Sequence, residues 1–156
     1  IMFADPNEWE ISSGVPHLPF EALAETYVID KEAYLEYFRK MHHLFPKCKK
    51  MVMAVRNQIA SSHHTLSGLL YDAVEDQLYT TRIYDIEPIV DPMGVGDAFV
   101  AAYIHAHQKW GDKNQYCLDF SLSASAIKNT IPGDQNLVSE EEIISNMTSS
   151  GGRIQR

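Results

Sequence analysis

The sequence predicts an α/β fold in which helices pack against a sheet, and three observations lead to this prediction. Short, continuous apolar runs at Ile1–Ala4 and Met51–Val55 are typical of strands that are buried on both faces. Apolar residues recur at three- and four-residue steps between Asp30 and Phe45, which indicates an amphipathic helix. The turn Asp91–Gly96 leads into an apolar run without a helix breaker, so a loop is followed directly by a helix. Strands that alternate with helices are typical of layered α/β proteins.

Composition excludes several classes of partner. The chain has 156 residues, 45% of them hydrophobic, which is enough for one domain with a sizeable core. Its net charge of −8 argues against nucleic acid or an anionic membrane surface as the main partner, because both are bound through clustered Lys and Arg. A single nucleotide is still compatible with this charge. Cys48 and Cys117 show no metal-ligand spacing, so we expect reduced thiols in a cytoplasmic protein.

The first element is expected to be a buried strand at Ile1–Ala4, and a chain that opens on such a run with Ile1 is expected to be the later part of something longer. Asp5, Pro6 and Asn7 break the strand and can cap a helix that ends at Gly14. Asn7 and Glu10 then lie about one turn apart on one face, at the carboxyl end of a strand, where open α/β sheets bind ligands. A capped, solvated turn is the simpler interpretation of this pair alone.

The remaining elements follow from hydrophobic period and turn residues. A loop is expected at Val15–Val28, and the helix from Asp30 to Phe45 is expected to bury Tyr34, Phe38, Met41 and Phe45. The later expectations are, in order, strands at Met51–Val55, Thr65–Tyr71, Gln77–Thr81 and Arg82–Val90, helices at Gly94–Trp110 and Lys113–Thr130, a turn at Thr130–Asp134, a last helix opened by the capping box Ser139–Glu142, and a frayed tail at Gly151–Arg156.

The stretch from Asp91 to Asp97 is the strongest candidate functional segment. Gly94 and Gly96 lack side chains, so their N–H groups can approach an anion closely. The first N–H groups of a helix have no partner within it, and the helix dipole adds positive potential there. Asp97 falls in the first turn, where an ionised carboxylate is favoured and can accept the proton of an attacking hydroxyl. From the glycines alone, a turn that merely starts a buried helix is the simpler interpretation.

The whole string Asp-Pro-Met-Gly-Val-Gly-Asp resembles the second signature of the ribokinase-like (PfkB) carbohydrate kinases. This resemblance implies a ribokinase-like three-layer α/β/α sandwich, of which residues 1–150 are the C-terminal, nucleotide-binding half. It also implies that Asp97 is the catalytic base and that Gly94, Val95 and Gly96 form the anion hole. Val95 departs from the pattern, because the family has a smaller residue there.

Further motifs carry the same resemblance. Asn7 and Glu10 match the family's Asn-x-x-Glu motif, which implies that they organise Mg²⁺ and the phosphates of ATP, partly through water. Ala54 and Arg56 fall where the family has a nucleotide-contacting loop after a strand, often Thr-x-Gly. Arg56 is equally compatible with a solvated side chain. By the same resemblance, Asp91 and nearby carbonyl groups are hypothesised to hold a monovalent cation such as K⁺.

The string from Ser125 to Ser139, Ser-Ala-Ile-Lys-Asn-Thr-Ile-Pro-Gly-Asp-Gln-Asn-Leu-Val-Ser, is similar to the matching segment of 2-keto-3-deoxygluconate kinases. It implies ATP-dependent phosphorylation of a sugar acid. A kinase of another sugar or a nucleoside, and a truncated, non-catalytic nucleotide-binding module, are the alternatives. The family's N-terminal half, with its sugar pocket and β lid, has no counterpart in these residues. Homo-oligomers through that lid are therefore expected only of a longer protein.

Overall fold

The computed structural model describes residues 1–18 and 28–149. The elements, in chain order, are β1 (Met2–Phe3), α1 (Pro6–Ser13), α2 (Lys31–Leu44), β2 (Lys50–Ala60), β3 (His63–Asp72), β4 (Gln77–Thr80), β5 (Tyr84–Ile86), α3 (Val95–Trp110), α4 (Asn114–Lys128) and α5 (Glu140–Thr148).

The strands form one mixed sheet. Among the described residues its order is β1-β2-β3-β4, and β5 also pairs with β3. β1 runs parallel to β2, with Met2 opposite Met51. It is shorter than the strand predicted at Ile1–Ala4 and is half-buried, with Ile1 exposed, so the prediction of a strand buried on both faces is wrong. The other pairs are antiparallel, and β4 and β5 lie one after the other along the outer edge of β3. β1 is therefore at one edge of the sheet, next to the start of α1.

Helices cover both faces of this sheet. Alternate residues of β2 point to opposite faces, because the side chains of a strand alternate. Val52 packs in a core cluster with residues of α3, α4 and α5, whereas Met53 packs in a second cluster with residues of α1 and α2. The predicted three-layer α/β/α arrangement is confirmed.

Most of the predicted helix boundaries are confirmed, and their capping residues explain them. Asp5 caps α1 in a capping box with Glu8, and Gly14 ends the helix in the left-handed conformation. The Asp30 side chain caps α2, in which Tyr34, Phe38 and Met41 are buried as predicted, whereas Phe45, also expected to be buried, is the half-buried C-cap. The expected loop at Val15–Val28 falls largely on residues 19–27, and the expected tail on residues 151–156; both ranges lie outside the described residues.

Two predicted strands have the wrong bounds. β2 does not end at Val55 but continues to Ala60, because its polar continuation pairs with β3 in an antiparallel hairpin. Asn57 is buried there between the exposed Arg56 and Gln58, so the extension is half-buried and lacks an apolar run. The strand predicted at Arg82–Val90 is reduced to Tyr84–Ile86. Pro88 has no N–H to donate to a neighbouring strand, which explains the early end.

Two further observations concern thiols and membranes. Cys48 and Cys117 are buried free thiols, in agreement with the sequence. In the part of the chain that the structure describes, none of the helices has the length and apolarity needed to cross a bilayer.

Candidate active site

Helix α3 starts at a glycine that the fold requires. Gly94 has a φ of 72°, in the left-handed region that L side chains rarely adopt. A Cβ atom at this position would lie 2.2 Å from the carbonyl oxygen of Asp134, so a side chain would collide with backbone. Gly96 differs, because a Cβ atom there would meet no atom within 4 Å. Position 94 therefore serves packing, whereas position 96 leaves open space above the backbone.

The first turn of α3 offers N–H groups to an anion. No side chain of the described residues caps this helix, and its first backbone hydrogen bond runs from the Ala98 N–H to the Gly94 carbonyl at 2.9 Å. The N–H groups of Val95, Gly96 and Asp97 precede this bond, so the helix itself gives them no acceptor. Together with the dipole of a 16-residue helix, they make this helix start suited to an anion.

Asp97 lies beside these N–H groups and lines open space on two sides. Its side chain is exposed in the first turn of α3. With Gly94, Val95 and Gly96 it lines a cavity of about 450 Å³, which also touches the acidic side chains of α1 and its cap, Glu8 and Asp5. Asp97 and Gly94 also line a groove of about 420 Å³ that runs along α3 toward the start of α5. A carboxylate is thus placed next to N–H groups that have no acceptor within the helix.

The loop before α3 is anchored from elsewhere in the chain. The Asp91 carboxylate accepts hydrogen bonds from the N–H groups of Met93 at 2.9 Å and Gly133 at 2.8 Å. These two donors, Met93 first, lower the pKa of Asp91 below its ordinary value. The Ser125 hydroxyl donates to the Val95 carbonyl at 3.0 Å, which ties the first turn of α3 to α4.

A second cavity of about 360 Å³ adjoins the first and is lined by three of the other residues that the motifs predict. Asn7, Ala54 and Arg56 all line it, together with Val95 and Gly96 of the anion site. Ala54 and Arg56 lie inside β2, not in a loop that follows it, which corrects the expectation from the resemblance. The structure therefore brings together residues that are far apart in the sequence.

Glu10 does not line these cavities. Its carboxylate Oε2 accepts the N–H of His17 at 3.1 Å and contacts the His17 Nδ1 at 2.5 Å. The His17 backbone N–H, followed by the His17 side chain, lowers the pKa of Glu10. His17, which lines the second cavity, was not predicted as a site residue. It lies in a proline-containing stretch without hydrophobic period, so the sequence carries no signal for this pairing.

Magnesium fits this site only as a weakly coordinated ion. Among the described residues, no group of three or more His, Cys, Asp and Glu side chains has an arrangement that could hold a metal. Mg²⁺ in kinase sites keeps several waters and takes one or two carboxylates in addition to substrate phosphates. The Asn7 amide and the Asp5 and Glu8 carboxylates at the cavity walls are suited to such water-mediated contacts.

Comparison with known proteins places this arrangement in a known fold. No protein-family model and no curated protein matches the chain. Among solved structures, a 2-dehydro-3-deoxygluconokinase from Thermotoga maritima superposes with a TM-score of 0.79 and 26% identity, over 94% of this chain and 40% of that one. This chain has the ribokinase-like kinase fold.

Two further solved structures share this fold. A PfkB family carbohydrate kinase from Listeria grayi matches with a TM-score of 0.71 and 24% identity, over 94% of this chain and 41% of that one. Plasmodium falciparum PdxK, solved with AMP-PNP and PL, matches with a TM-score of 0.51 and 18% identity, over 95% of this chain and 46% of that one. The resemblance to PfkB carbohydrate kinases is confirmed at the level of structure.

The ribokinase-like match covers only part of these kinases. The chain spans 40% of the length of the Thermotoga protein, and the match falls on the C-terminal part of that fold.

Proposed function

We propose that this chain is the nucleotide-binding part of a PfkB-family carbohydrate kinase, which transfers the γ-phosphoryl group of MgATP to an alcohol group. The observation that carries the proposal is the start of α3, where three N–H groups without a helical acceptor adjoin the Asp97 carboxylate at the wall of a 450 Å³ cavity. Phosphoryl transfer needs little more from a protein than positioning and charge stabilisation, and both are available at this point.

Each residue then has a defined part in the reaction. The Asp97 carboxylate accepts the proton of the attacking hydroxyl, whose oxygen bonds to the γ-phosphorus as the bond to the bridging oxygen of ADP breaks. The backbone of the anion hole Gly94, Val95 and Gly96, together with the Asp97 N–H, stabilises the negative charge on the transferred group. Mg²⁺ would be held through water by the Asn7 amide and the Asp5 and Glu8 carboxylates, and would supply positive charge beside the phosphates. Glu10, which the motif pairs with Asn7, would have to release His17 to take part.

The proposed substrate is the sugar acid 2-keto-3-deoxygluconate, which would be converted in the cytoplasm to its 6-phosphate. The Ser125–Ser139 segment supports this choice, as does the Thermotoga maritima neighbour, whose name, 2-dehydro-3-deoxygluconokinase, refers to the same compound. A kinase of another sugar or of a nucleoside shares the Asp97 chemistry and differs only in the acceptor.

A non-catalytic nucleotide-binding module is the second candidate. One observation favours it: His17 already engages the carboxylate of Glu10, which the motif assigns to Mg²⁺. This module would bind MgATP between α1, β2 and the start of α3 without transferring phosphate.

Nucleotide binding is tested by calorimetric titration of the 156-residue chain with MgAMP-PNP. We expect saturable binding to one site. A chain that is folded by circular dichroism and releases no heat of binding would contradict both candidates. If the chain binds MgAMP-PNP but the complete kinase does not phosphorylate a sugar, the non-catalytic module is favoured.

Asp97→Asn tests the catalytic role in the complete kinase. We expect nucleotide affinity close to that of the wild type, and turnover of 2-keto-3-deoxygluconate, measured as ADP release, to fall by about 100-fold or more, because the general base is lost. Glu141→Gln is the matched control, since it removes an exposed carboxylate from the first turn of α5. Turnover of Asp97→Asn within a few-fold of this control would remove Asp97 from the role of base.

A further inference from the structure

The last residue of α4 is a completely buried lysine. Lys128 is 0% exposed, and its Nζ donates to the Ile131 carbonyl at 3.0 Å. Lysine is almost never fully buried without partners, because removing an ammonium group from water is costly. Among the described carboxylates, none is within ion-pair distance of this ammonium. A cation is favoured at this place, because the negative end of the dipole of α4 lies there.

The turn that Lys128 supports lies directly behind the anion site. The Asn129 carbonyl accepts the N–H groups of Val90 at 2.8 Å and Asp91 at 3.2 Å. In the opposite direction, the Gly133 N–H donates to the Asp91 carboxylate. The Asp134 carbonyl is the group that excludes a side chain at Gly94. The position of residues 129–134 therefore sets the conformation of the loop that opens α3.

This junction is also where the resemblance places a monovalent cation. The oxygen atoms at this junction are poorly suited to ligate such an ion. Both carboxylate oxygens of Asp91 already accept hydrogen bonds from backbone N–H groups, and the Ile131 carbonyl accepts one from the Lys128 ammonium. The positive charge that K⁺ would bring is supplied within the chain.

We propose that the Lys128 ammonium is a built-in cation that fixes the 129–134 turn against the Asp91 loop, so that the start of α3 is ordered without a bound monovalent ion. Lys128 is a positioning residue in this role, because it acts on the anion site through Asp91, Gly133 and Gly94. Its charge reaches this loop: after the Met93 and Gly133 N–H groups, attraction to Lys128 contributes to lowering the pKa of Asp91.

Thermal unfolding of the 156-residue chain tests the proposal without any nucleotide. Wild type, Lys128→Met and Lys128→Ala are compared at one ionic strength in potassium, ammonium or choline chloride. We expect the wild-type midpoint to be the same in all three salts. Lys128→Met, which keeps the length of the side chain and loses the charge, is expected to unfold roughly 5 °C lower, because the Ile131 carbonyl is left buried without a donor.

Lys128→Ala distinguishes a cation from an ordinary hydrogen-bond donor. Its shortened side chain leaves room for a small ion. Potassium or ammonium is therefore expected to reverse about half or more of the decrease in the unfolding midpoint temperature, whereas choline is expected to reverse none of it. If Lys128→Ala does not fold in choline, its refolded yield in ammonium gives the same comparison. Equal behaviour in all three salts would mean that the lysine is only a donor, and would overturn the proposal. A wild-type midpoint that rises in potassium, or a Lys128→Met midpoint equal to that of the wild type, would also overturn it.

Binding of MgAMP-PNP extends the test to the site, and this part rests on the proposed function. We expect the affinity of Lys128→Met for MgAMP-PNP to be about tenfold lower than that of the wild type. The affinity of Lys128→Ala should also fall, and ammonium should restore it. Lys40→Met, which removes an exposed lysine of α2 on the other face of the sheet, is the matched control and should bind as the wild type does. Absence of binding by the wild type would contradict the proposed function, whereas the unfolding data would still decide the role of Lys128.

Discussion

Helices α3 and α5 line one groove, yet their first turns are built in opposite ways. At α5 the Ser139 hydroxyl accepts the Glu142 N–H at 3.2 Å, and the Glu142 carboxylate accepts the Ser139 N–H at 2.8 Å. At α3 the corresponding position is Gly94, which has no side chain to accept a hydrogen bond. One helix start is thus closed by its own side chains, and the other remains open to a ligand.

This difference shows how the chain separates stability from binding. A capping box satisfies the first N–H groups and stabilises the helix. An open start gives up that stabilisation and has to be held by other contacts. At α3 these contacts come from the Asp91 carboxylate, the Ser125 hydroxyl and the backbone around Asp134. The first turn of α3 is therefore held by contacts with other parts of the chain, while its residues line the cavities.

The largest effect is expected from a methyl group at Gly94. Gly94→Ala places a Cβ atom 2.2 Å from the Asp134 carbonyl oxygen at a positive φ, so either the loop or the turn has to move. We expect a loss of roughly 3 kcal/mol or more in the free energy of unfolding, measured by urea denaturation.

Gly133→Ala is the matched control for Gly94. Its φ is 79°, but a Cβ atom there would meet nothing within 4 Å. It should lose only about 1–2 kcal/mol, the cost of a left-handed alanine. Equal losses in the two variants would show that the Asp134 contact does not constrain the start of α3.

Gly96→Ala is expected to affect binding and leave stability intact. The added methyl group meets no protein atom within 4 Å but projects into the space that both cavities share. Alanine is also a better helix former than glycine by about 1 kcal/mol, so the free energy of unfolding should stay equal or rise. Calorimetry with MgAMP-PNP should show affinity lower by about tenfold. Unchanged affinity would indicate that the phosphates do not approach the start of α3.

The sequence predicts the fold well where a local pattern decides it. The Tyr34, Phe38 and Met41 stripe of α2 and the Ser139–Glu142 box of α5 each need only one turn or two of chain to be recognised. The predicted end of β2 was wrong because the polar residues beyond Val55 are held by pairing with β3, which a local pattern cannot show. The strand predicted before α3 was too long, since Pro88 interrupts strand pairing.

The candidate site divides in the same way. Gly94, Gly96 and Asp97 are adjacent in sequence, so their glycine pattern and helix start can be recognised directly. The contact of His17 with Glu10 depends on the path of an irregular loop, and the support from Ser125 depends on how α4 packs on α3. Only the tertiary structure brings such groups together.

The smallest effect is expected at the closed helix start. Ser139→Ala removes the hydroxyl that accepts the Glu142 N–H, and N-cap changes of this kind cost about 1 kcal/mol. Urea denaturation should detect this loss, with Ser145→Ala, the same change inside α5, as the matched control that leaves stability nearly unchanged. MgAMP-PNP affinity should equal that of the wild type in both, because no ligand uses these N–H groups. A loss of affinity in Ser139→Ala as large as that in Gly96→Ala would mean that the two helix starts act as one site, and the contrast between them would fail.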